Sequence, residues 1–217
     1  MLSKSQLAIQ LSRLLLFENP LLDKEQYPTD SEIAADILWH AYMFGDIENK
    51  TIADLGAGTG ILGIGALMLG AKNLIFVDID QLALEKLQEN LEAINITKKK
   101  YRIIHKDIND VLKKDFQKDF PVQVILQNPP FGTKTENADK FFLQKAFTIA
   151  PIIYSFHKSS TAKFIEAIAK DHHYKITHEF KYQFPLKQTM KMHKSRIKRI
   201  EVSCFRFSLF QAPVSQK

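Results

Sequence analysis

From residue 50 onward, short apolar segments alternate along the chain with segments of helical spacing, and this alternation constrains the fold more than any other feature. The apolar segments, which are typical of strands, span residues 51–56, 73–79, 101–105, 122–127 and 151–157. Helices are predicted between them at about residues 61–69, 81–93, 138–149 and 160–170. Near-continuous apolar strands that alternate with helices indicate a parallel sheet covered by helices on both faces.

The carboxyl-terminal part of the chain departs from this alternation. Two strand-like segments, residues 174–184 and 198–210, follow each other with a basic loop and no helix between them. Such strands are expected to pair antiparallel. The sequence therefore predicts a single α/β domain over residues 1–217, in which residues 50–217 form a mostly parallel sheet that ends in an antiparallel hairpin.

The amino-terminal part, residues 1–49, is predicted to be helical. Apolar residues recur at helical spacing in SQLAIQLSRLLLF, at residues 5–17, and a second helix is predicted over about residues 30–42. Thr29 or Asp30 would cap the amino terminus of this second helix, since both side chains can accept a hydrogen bond from a free backbone N–H group.

Composition limits the class of protein. The chain has 217 residues, of which 45% are hydrophobic and 25% charged, as in ordinary soluble domains. A single cysteine, Cys204, excludes an internal disulfide and a cysteine-rich zinc site, which favours a cytoplasmic location and no bound metal. The uncharged apolar run at residues 61–71 is shorter than the roughly 20 residues that span a bilayer.

Positive charge is concentrated near the carboxyl-terminal end. The net charge is +6, and residues 170–199 contain nine lysines and arginines against two acids. Such a cluster favours a polyanionic partner such as RNA, because lysine and arginine neutralise phosphates and release counterions. A solvated lysine-rich face explains the same pattern equally well.

The first predicted strand runs directly into the glycine-rich segment DLGAGTG, at residues 54–60, and then into an apolar helix. Glycines at such a junction let the backbone turn sharply and approach a ligand, while the helix amino terminus presents free N–H groups. Residues 58–63 also match the dinucleotide pattern GxGxxG. That match is weak when taken alone, because glycine also serves plain helix–strand packing.

Three acids follow or end neighbouring strands. Asp78 lies 18 residues after Gly60 and could accept both hydroxyls of a cofactor ribose, and Asp107 could accept an adenine amino group. Asp54 precedes the glycines, where it would repel a pyrophosphate and attract an ammonium. S-adenosylmethionine carries an ammonium, a sulfonium and no phosphate. Each acid could instead be a turn residue or a helix cap.

The segment QNPPFGTK directly follows the apolar run VQVIL, and its two prolines must end that strand. The side-chain oxygen of Asn128 and the carbonyl of Pro129 could accept the two N–H groups of a planar amine while a bond forms at its nitrogen. Phe131 could stack on the ring that carries the amine. The alternative is a rigid turn at residues 128–131 with a buried phenylalanine.

These motifs together resemble a known family. DLGAGTG, VDID and NPPFGTK are similar to the motifs of class I S-adenosylmethionine-dependent methyltransferases of the NPPF/NPPY group. Within that group, EQYPT, DIENK and HKSS make the chain resemble the small-ribosomal-subunit rRNA adenine-N6 methyltransferases, which have human and archaeal members. The human member has cysteines in place of Ala57 and Thr59, and the basic loop is only loosely similar.

The resemblance implies a Rossmann-like fold with a seven-stranded sheet, S-adenosyl-L-methionine as the cofactor, and methyl transfer to an adenosine N6 amine in structured RNA. It also implies that residues 1–49 cover the cofactor site, with Gln26, Tyr27 and Thr29 closing over the cofactor. A proline-anchored loop before a helix explains these three residues equally well. Residues and resemblance together predict a catalytic set of Asn128, Pro129, Pro130 and Phe131. The predicted cofactor-binding set is Gln26, Tyr27, Thr29, Asp54, Gly56, Gly58, Gly60, Asp78, Ile79, Asp107, Ile108 and Asn128.

The resemblance also bears on partners. The substrate would be RNA, with its base stacked on Phe131. Lys134 and Lys158 could contact its phosphates, although lone lysines more often face solvent. A small zinc-binding activator protein that serves several methyltransferases is implied as a second partner. It would pair with the strand at residues 101–105, which is expected at the edge of the sheet.

Several other acceptors and functions remain open from the residues. Related NPPF/NPPY enzymes methylate guanine N2 in RNA, adenine in DNA or glutamine in proteins, and Asn128 does not discriminate among these planar nitrogens. An NAD-dependent oxidoreductase is disfavoured, because no residues for hydride transfer follow the glycines and the NPPF segment would have no role. A non-catalytic RNA-binding scaffold is disfavoured by the intact glycine segment.

Overall fold

The structure is a computed structural model that describes residues 2–16, 29–117, 121–131, 138–186 and 198–210. The strands within these residues are β1 Thr51–Leu55, β2 Asn73–Asp78, β3 Tyr101–His105, β4 Val124–Gln127, β5 Ile152–Lys158, β6 Tyr174–Leu186 and β7 Lys198–Leu209. The α-helices are α1 Lys4–Leu11, α2 Ser31–Met43, α3 Ile61–Met68, α4 Gln81–Ala93, α5 Lys113–Gln117, α6 Ala138–Phe147 and α7 Ala162–Asp171.

The strands form one seven-stranded sheet in the order β3-β2-β1-β4-β5-β7-β6. β1 to β5 are parallel, whereas β7 is antiparallel to both β5 and β6. The predicted fold class is therefore confirmed, including the antiparallel hairpin. β2 lies on one side of β1 and β4 lies on the other. The strand order therefore reverses at β1, and such a reversal leaves a crevice at the carboxyl ends of the neighbouring strands.

Two apolar clusters cover the two faces of the sheet. One contains the buried side chains of α1 to α4, and the other contains those of α5 to α7. The strands between them are buried on both faces, which is why β1 and β2 are near-continuous apolar runs. No helix among the described residues is long and apolar enough to cross a membrane.

The first helix is shorter than its apolar pattern predicts, since α1 ends at Leu11. The cause is a tertiary contact that binds the backbone of Leu15, four residues further along the chain. Leu15 N–H donates to Asn90 Oδ1 at 2.7 Å, and Asn90 Nδ2 donates back to Leu15 O at 3.0 Å. A backbone held by a side chain of α4 does not continue an α-helical hydrogen-bond ladder.

The second helix, α2, begins directly after one of the two residues predicted to cap it. Asp30 is the N-cap of α2, and its carboxylate accepts hydrogen bonds from the N–H groups of Glu32 and Ile33. Thr29 is thereby left free of a capping role, and its buried side chain points to the sheet.

Candidate active site

The glycine-rich segment lies at the carboxyl end of β1 and turns into α3. Gly60 has a φ of 91°, and a Cβ at this position would lie 2.2 Å from Leu87 Cδ1 of α4. Gly56 has a φ of 68°, and its Cβ would lie 3.0 Å from the Phe142 ring of α6. Glycine is therefore required here both by the backbone conformation and by close packing on each side.

Asp78 ends β2 and contacts the glycine segment directly. Its Oδ2 accepts a hydrogen bond from Gly58 N–H at 2.7 Å, and its Oδ1 accepts one from Asp80 N–H at 2.8 Å. Burial raises the pKa of this carboxyl group. Asp78 therefore holds the glycine segment in place at the edge of the crevice, where its ribose-binding role was predicted.

Asp54 is more deeply buried than the sequence suggested, with a residue exposure of 1%. Its Oδ2 accepts a hydrogen bond from Gly63 N–H at 2.8 Å, in the first turn of α3. Burial raises the pKa of Asp54 to about 7. The carboxyl group thus lies beneath the glycine segment and binds the free amino terminus of α3.

The third acid, Asp107, follows β3 and caps a short turn at Ile108–Asp110. Its carboxylate accepts a hydrogen bond from Asn109 N–H at 2.8 Å, and Ile108 is buried below it. Ile79 follows β2 and is 55% exposed. Ile79 thus presents an exposed apolar side chain directly after Asp78 in the chain.

Asn128 follows β4, and its amide is held in one orientation. Asn128 Nδ2 donates a hydrogen bond to Thr29 Oγ1 at 2.9 Å. Asn128 Oδ1 is buried and has no hydrogen-bond partner among the described residues. A buried acceptor without a partner costs about 1–3 kcal/mol, so this oxygen marks a place where a donor is missing.

The rest of the NPPF turn is less open than predicted. Pro129 is buried, Pro130 is partly buried, and Phe131 is 7% exposed. The Phe131 ring meets Phe184 of β6 edge to face, with the ring centroids 6.1 Å apart. A base could therefore stack on the Phe131 ring only if this ring moved away from Phe184 of β6.

The remaining predicted residues divide into two groups. Gln26, Tyr27 and Lys134 lie outside the described residues, as does the basic loop between β6 and β7. Lys158 is the last residue of β5 and is partly buried at the same edge of the sheet as Asn128.

A buried polar chain beside Asn128 was missed by the sequence reasoning. Gln127 Nε2 donates to Ser155 Oγ at 2.9 Å, Ser155 Oγ lies 2.7 Å from His157 Nε2, and His157 Nδ1 lies 3.4 Å from Asp139 Oδ2. Burial lowers the pKa of His157, which favours the neutral imidazole. The only sequence signal was polar side chains at alternating positions 155 and 157 of an apolar strand.

Asn90 was also missed, although it braces the glycine segment. Besides its bonds to the backbone of Leu15, its Nδ2 donates to Thr59 O at 3.0 Å. The residue is 1% exposed, and a lone asparagine inside an amphipathic helix carries no signal of such a contact.

The sheet order, the glycine segment with Asp78, and the NPPF turn after β4 define a class I S-adenosylmethionine-dependent methyltransferase. Residues 28–182 match the family model described as Conserved hypothetical protein 95. The chain belongs to the family of the METTL5 rRNA N(6)-adenosine-methyltransferases, with 35% identity to the Danio rerio protein of that name over 88% of this chain and 92% of that protein.

Two other relatives cover nearly the whole chain. An uncharacterized protein of Methanocaldococcus jannaschii is 38% identical over 95% of this chain and 94% of its own length. A solved structure from Pyrococcus horikoshii, described as a candidate RNA methyltransferase, superposes with a TM-score of 0.84 at 39% identity and covers 96% of this chain and 98% of its own.

Proposed function

We propose that this chain transfers a methyl group from S-adenosyl-L-methionine to the N6 amine of an adenosine in ribosomal RNA. The observation that carries the proposal is the unpartnered Asn128 Oδ1, held beside the crevice by the bond from Nδ2 to Thr29. The names of the relatives support it, since those of Danio rerio, Drosophila melanogaster and Caenorhabditis elegans are rRNA N(6)-adenosine-methyltransferases.

The residues around the crevice fit the cofactor chemically. Asp78 would accept the ribose hydroxyls and Asp107 the adenine amino group, while Ile79 and Ile108 would cover the adenine. Gly56, Gly58 and Gly60 let the cofactor approach the backbone, and Asp54 beneath them favours its ammonium. Gln26, Tyr27 and Thr29 would close over it. When bound, the cofactor supplies an electrophilic methyl group on a sulfonium.

The catalytic work of this chain is then to orient the amine. An adenine N6 amine is a poor nucleophile because its lone pair is delocalised into the ring. Asn128 Oδ1 and the Pro129 carbonyl would accept its two N–H groups, which favours rehybridisation as the new C–N bond forms. Most of the acceleration would come from holding the amine in line with the methyl group. As the C–N bond formed, the methyl–sulfur bond would break and leave a neutral thioether. The methylated amine would then carry the positive charge and would lose its extra proton to water.

Phe131 and the lysines would hold the nucleotide that carries this amine. The base would be splayed out of any helix and stack on Phe131, while Pro130 would keep the turn before Phe131 rigid. Lys134 and Lys158 would contact the phosphates. Because the Phe131 ring meets Phe184 edge to face in this structure, RNA binding is expected to shift that contact.

The roles of Asn128 and Asp78 can be separated by substitution. Asn128→Ala should reduce methyl transfer at least about 100-fold, as for the loss of one transition-state acceptor, with little change in cofactor affinity. Asp78→Ala should weaken cofactor binding instead. Calorimetry with S-adenosylmethionine and initial rates on ribosomal RNA measure both effects. Equal losses of cofactor affinity in the two variants would show that the roles are assigned wrongly.

The acceptor itself is tested by product analysis. The chain is incubated with labelled S-adenosylmethionine and with total RNA, DNA or protein, and the products are digested to nucleosides or amino acids. Label in N6-methyladenosine from ribosomal RNA is expected. Label in N2-methylguanosine or methylglutamine would contradict the adenine assignment.

We also propose a small zinc-binding activator as partner and a cytoplasmic location. β3 lies at the edge of the sheet and pairs only with β2 among the described strands, so its outer backbone groups are free to pair with another chain. The test is co-purification of such a protein with this chain, followed by hydrogen exchange. Slowed exchange at residues 101–105 in the complex is expected, and unchanged exchange there would refute this mode of pairing.

A further inference from the structure

The beginnings of α6 and α7 carry two exposed aromatic rings, and three lysines lie on or just before these two helices. Phe141 of α6 is 51% exposed and Phe164 of α7 is 45% exposed. The ammonium group of Lys140 lies 5.9 Å from the centre of the Phe164 ring, so side chains of the two helices meet. Lys158 and Lys163 precede Phe164 in the chain. We call these five residues the α6–α7 patch.

The α6–α7 patch borders the candidate active site. Asp139 anchors the first turn of α6 to His157 at the carboxyl end of β5, with 3.4 Å between the two side chains. Also on α6, the Phe142 ring packs against Gly56 of the glycine-rich segment. Lys158 follows His157 at the same strand end. The patch therefore lies at the end of the sheet where β4 and β5 terminate.

Neither exposed ring is needed for the core. Leu143 and Phe147 supply the buried face of α6, and Ile165 and Ile168 supply that of α7. An isolated exposed apolar side chain is ordinary on a protein surface. Two large exposed rings that each adjoin a lysine in the chain, one of them in contact with a lysine of the other helix, are a more specific arrangement.

The charge of the patch is positive. Asp139 lies beside the patch, but its carboxylate is directed at His157 and its side chain is 13% exposed. Glu166 is an exposed acid in the second turn of α7. Lys140, Lys158 and Lys163 outnumber it, so the surface complements an anionic ligand.

We propose that the α6–α7 patch binds single-stranded RNA that flanks the target adenosine, with a base stacked on Phe164 and its phosphates beside the lysines. This inference rests on the proposed function. An adenosine splayed out of its helix leaves its neighbours unstacked, and aromatic rings replace that lost stacking for any base sequence.

The chain contains a matched control at the opposite edge of the sheet. The ammonium group of Lys175 lies 5.8 Å from the centre of the Phe210 ring, and Phe210 is 51% exposed. This pair lies beside the beginning of β5, because Ser208 of β7 is the partner of Ile152. It has the same chemistry as the Lys140–Phe164 pair and lies at the opposite end of the sheet from the carboxyl ends of β1 to β5.

The test is fluorescence anisotropy with a labelled single-stranded RNA of about 12 nucleotides, within the range that such surfaces cover. Phe164→Ala should weaken binding about 5- to 150-fold, the effect of losing one stacked base. Phe164→Tyr should keep the affinity, because the ring is retained. Phe210→Ala should leave the affinity unchanged. Thermal unfolding of each variant establishes that it is folded.

Salt dependence tests the lysines separately. Lys140→Ala should reduce the slope of log affinity against log salt by about 0.7, as for one phosphate contact on a single strand, and Lys175→Ala should not change it. Unchanged RNA binding by Phe164→Ala, or an equal loss in Phe210→Ala, would overturn the inference. So would a Phe164→Ala variant that keeps RNA affinity and loses a protein partner.

Failure of the inference is distinguishable from failure of the proposed function. If the unsubstituted chain forms N6-methyladenosine in ribosomal RNA while Phe164→Ala binds RNA equally well, the α6–α7 patch alone is refuted. If the unsubstituted chain binds no RNA and labels protein or DNA, the proposed function fails, and the RNA-binding role of the patch fails with it.

Discussion

Thr29 Oγ1 accepts a hydrogen bond from the side-chain nitrogen of Asn128, Nδ2. The side-chain oxygen of Asn128 is therefore the amide atom that remains for a substrate. Replacement of the hydroxyl in Thr29→Val preserves the shape of the side chain and removes the hydrogen bond. We expect kcat to fall about 2- to 13-fold, since a lost hydrogen bond is worth roughly 0.5–1.5 kcal/mol. Steady-state kinetics on ribosomal RNA measure this change.

Thr29→Ser is the matched control for that substitution, because it keeps the hydroxyl and should restore kcat. Thr29 is also proposed to touch the cofactor, and the two roles give different kinetics. A rise in the KM for S-adenosylmethionine with an unchanged kcat would show that Thr29 acts on the cofactor and does not orient Asn128.

Asp54 makes stability depend on pH. Burial raises the pKa of Asp54 to about 7, above the ordinary value of 3.8. The folded protein therefore holds this proton more tightly than the unfolded chain does, and the resulting stability is lost as pH rises from about 4 to 7. Urea unfolding without cofactor should show this decline. Asp54→Asn should make it shallower, and Asp78, whose pKa burial also raises, should retain the remainder. A decline of equal slope in Asp54→Asn would assign it to other groups.

At the scale of single elements, the turn from β1 into α3 depends on Gly60. Gly60→Ala would place a methyl group against Leu87 in a left-handed conformation. We expect a loss of about 2–5 kcal/mol in the free energy of unfolding, from strain and overpacking together. Cofactor binding should weaken as well, because the turn carries the predicted contacts. Urea unfolding and calorimetry measure the two effects.

Gly45 provides the control for Gly60. It has a φ of 75°, but a Cβ at this position would meet no atom within 4 Å. Gly45→Ala should therefore cost only the left-handed strain, about 1–2 kcal/mol, and leave cofactor binding unchanged. Equal losses in the two variants would show that the contact with α4 contributes nothing.

Strand and helix existence was predictable from local pattern. The predicted strand at residues 101–105 and the predicted helix at 81–93 coincide with β3 and α4, because apolar runs and turn residues act over a few positions. The end of α1 was not predictable, because it depends on Asn90, which lies 75 residues from Leu15 in the chain. A partner that distant leaves no local signal.

At the scale of the whole molecule, a buried ion pair joins the amino-terminal helices to the carboxyl-terminal strands. Asp46, after α2, accepts hydrogen bonds from Arg206 Nε of β7 at 2.8 Å and from the hydroxyl group of Tyr154 of β5 at 2.6 Å. Asp46→Ala would leave the Arg206 cation partly buried without its partner. We expect a loss of about 3–5 kcal/mol in the free energy of unfolding.

The exposed ion pair between Lys4 and Asp36 is the control for that substitution, since Lys4→Ala should change stability little. Chemical denaturation of both variants gives the comparison. If Asp46→Ala were as stable as Lys4→Ala, the network at Arg206 would not be what holds the amino-terminal helices to the sheet.

The sequence by itself determined that the chain forms a mostly parallel sheet and where its strands lie. It also determined which polar residues stand where β1, β2 and β4 end. Apolar runs, glycines and prolines act on the backbone within a few residues, so these features need no partner. Only the tertiary structure decided that β7 lies between β5 and β6, and that Thr29 binds Asn128 across 99 residues of chain. Those pairings depend on packing summed over the whole molecule, which no short segment encodes.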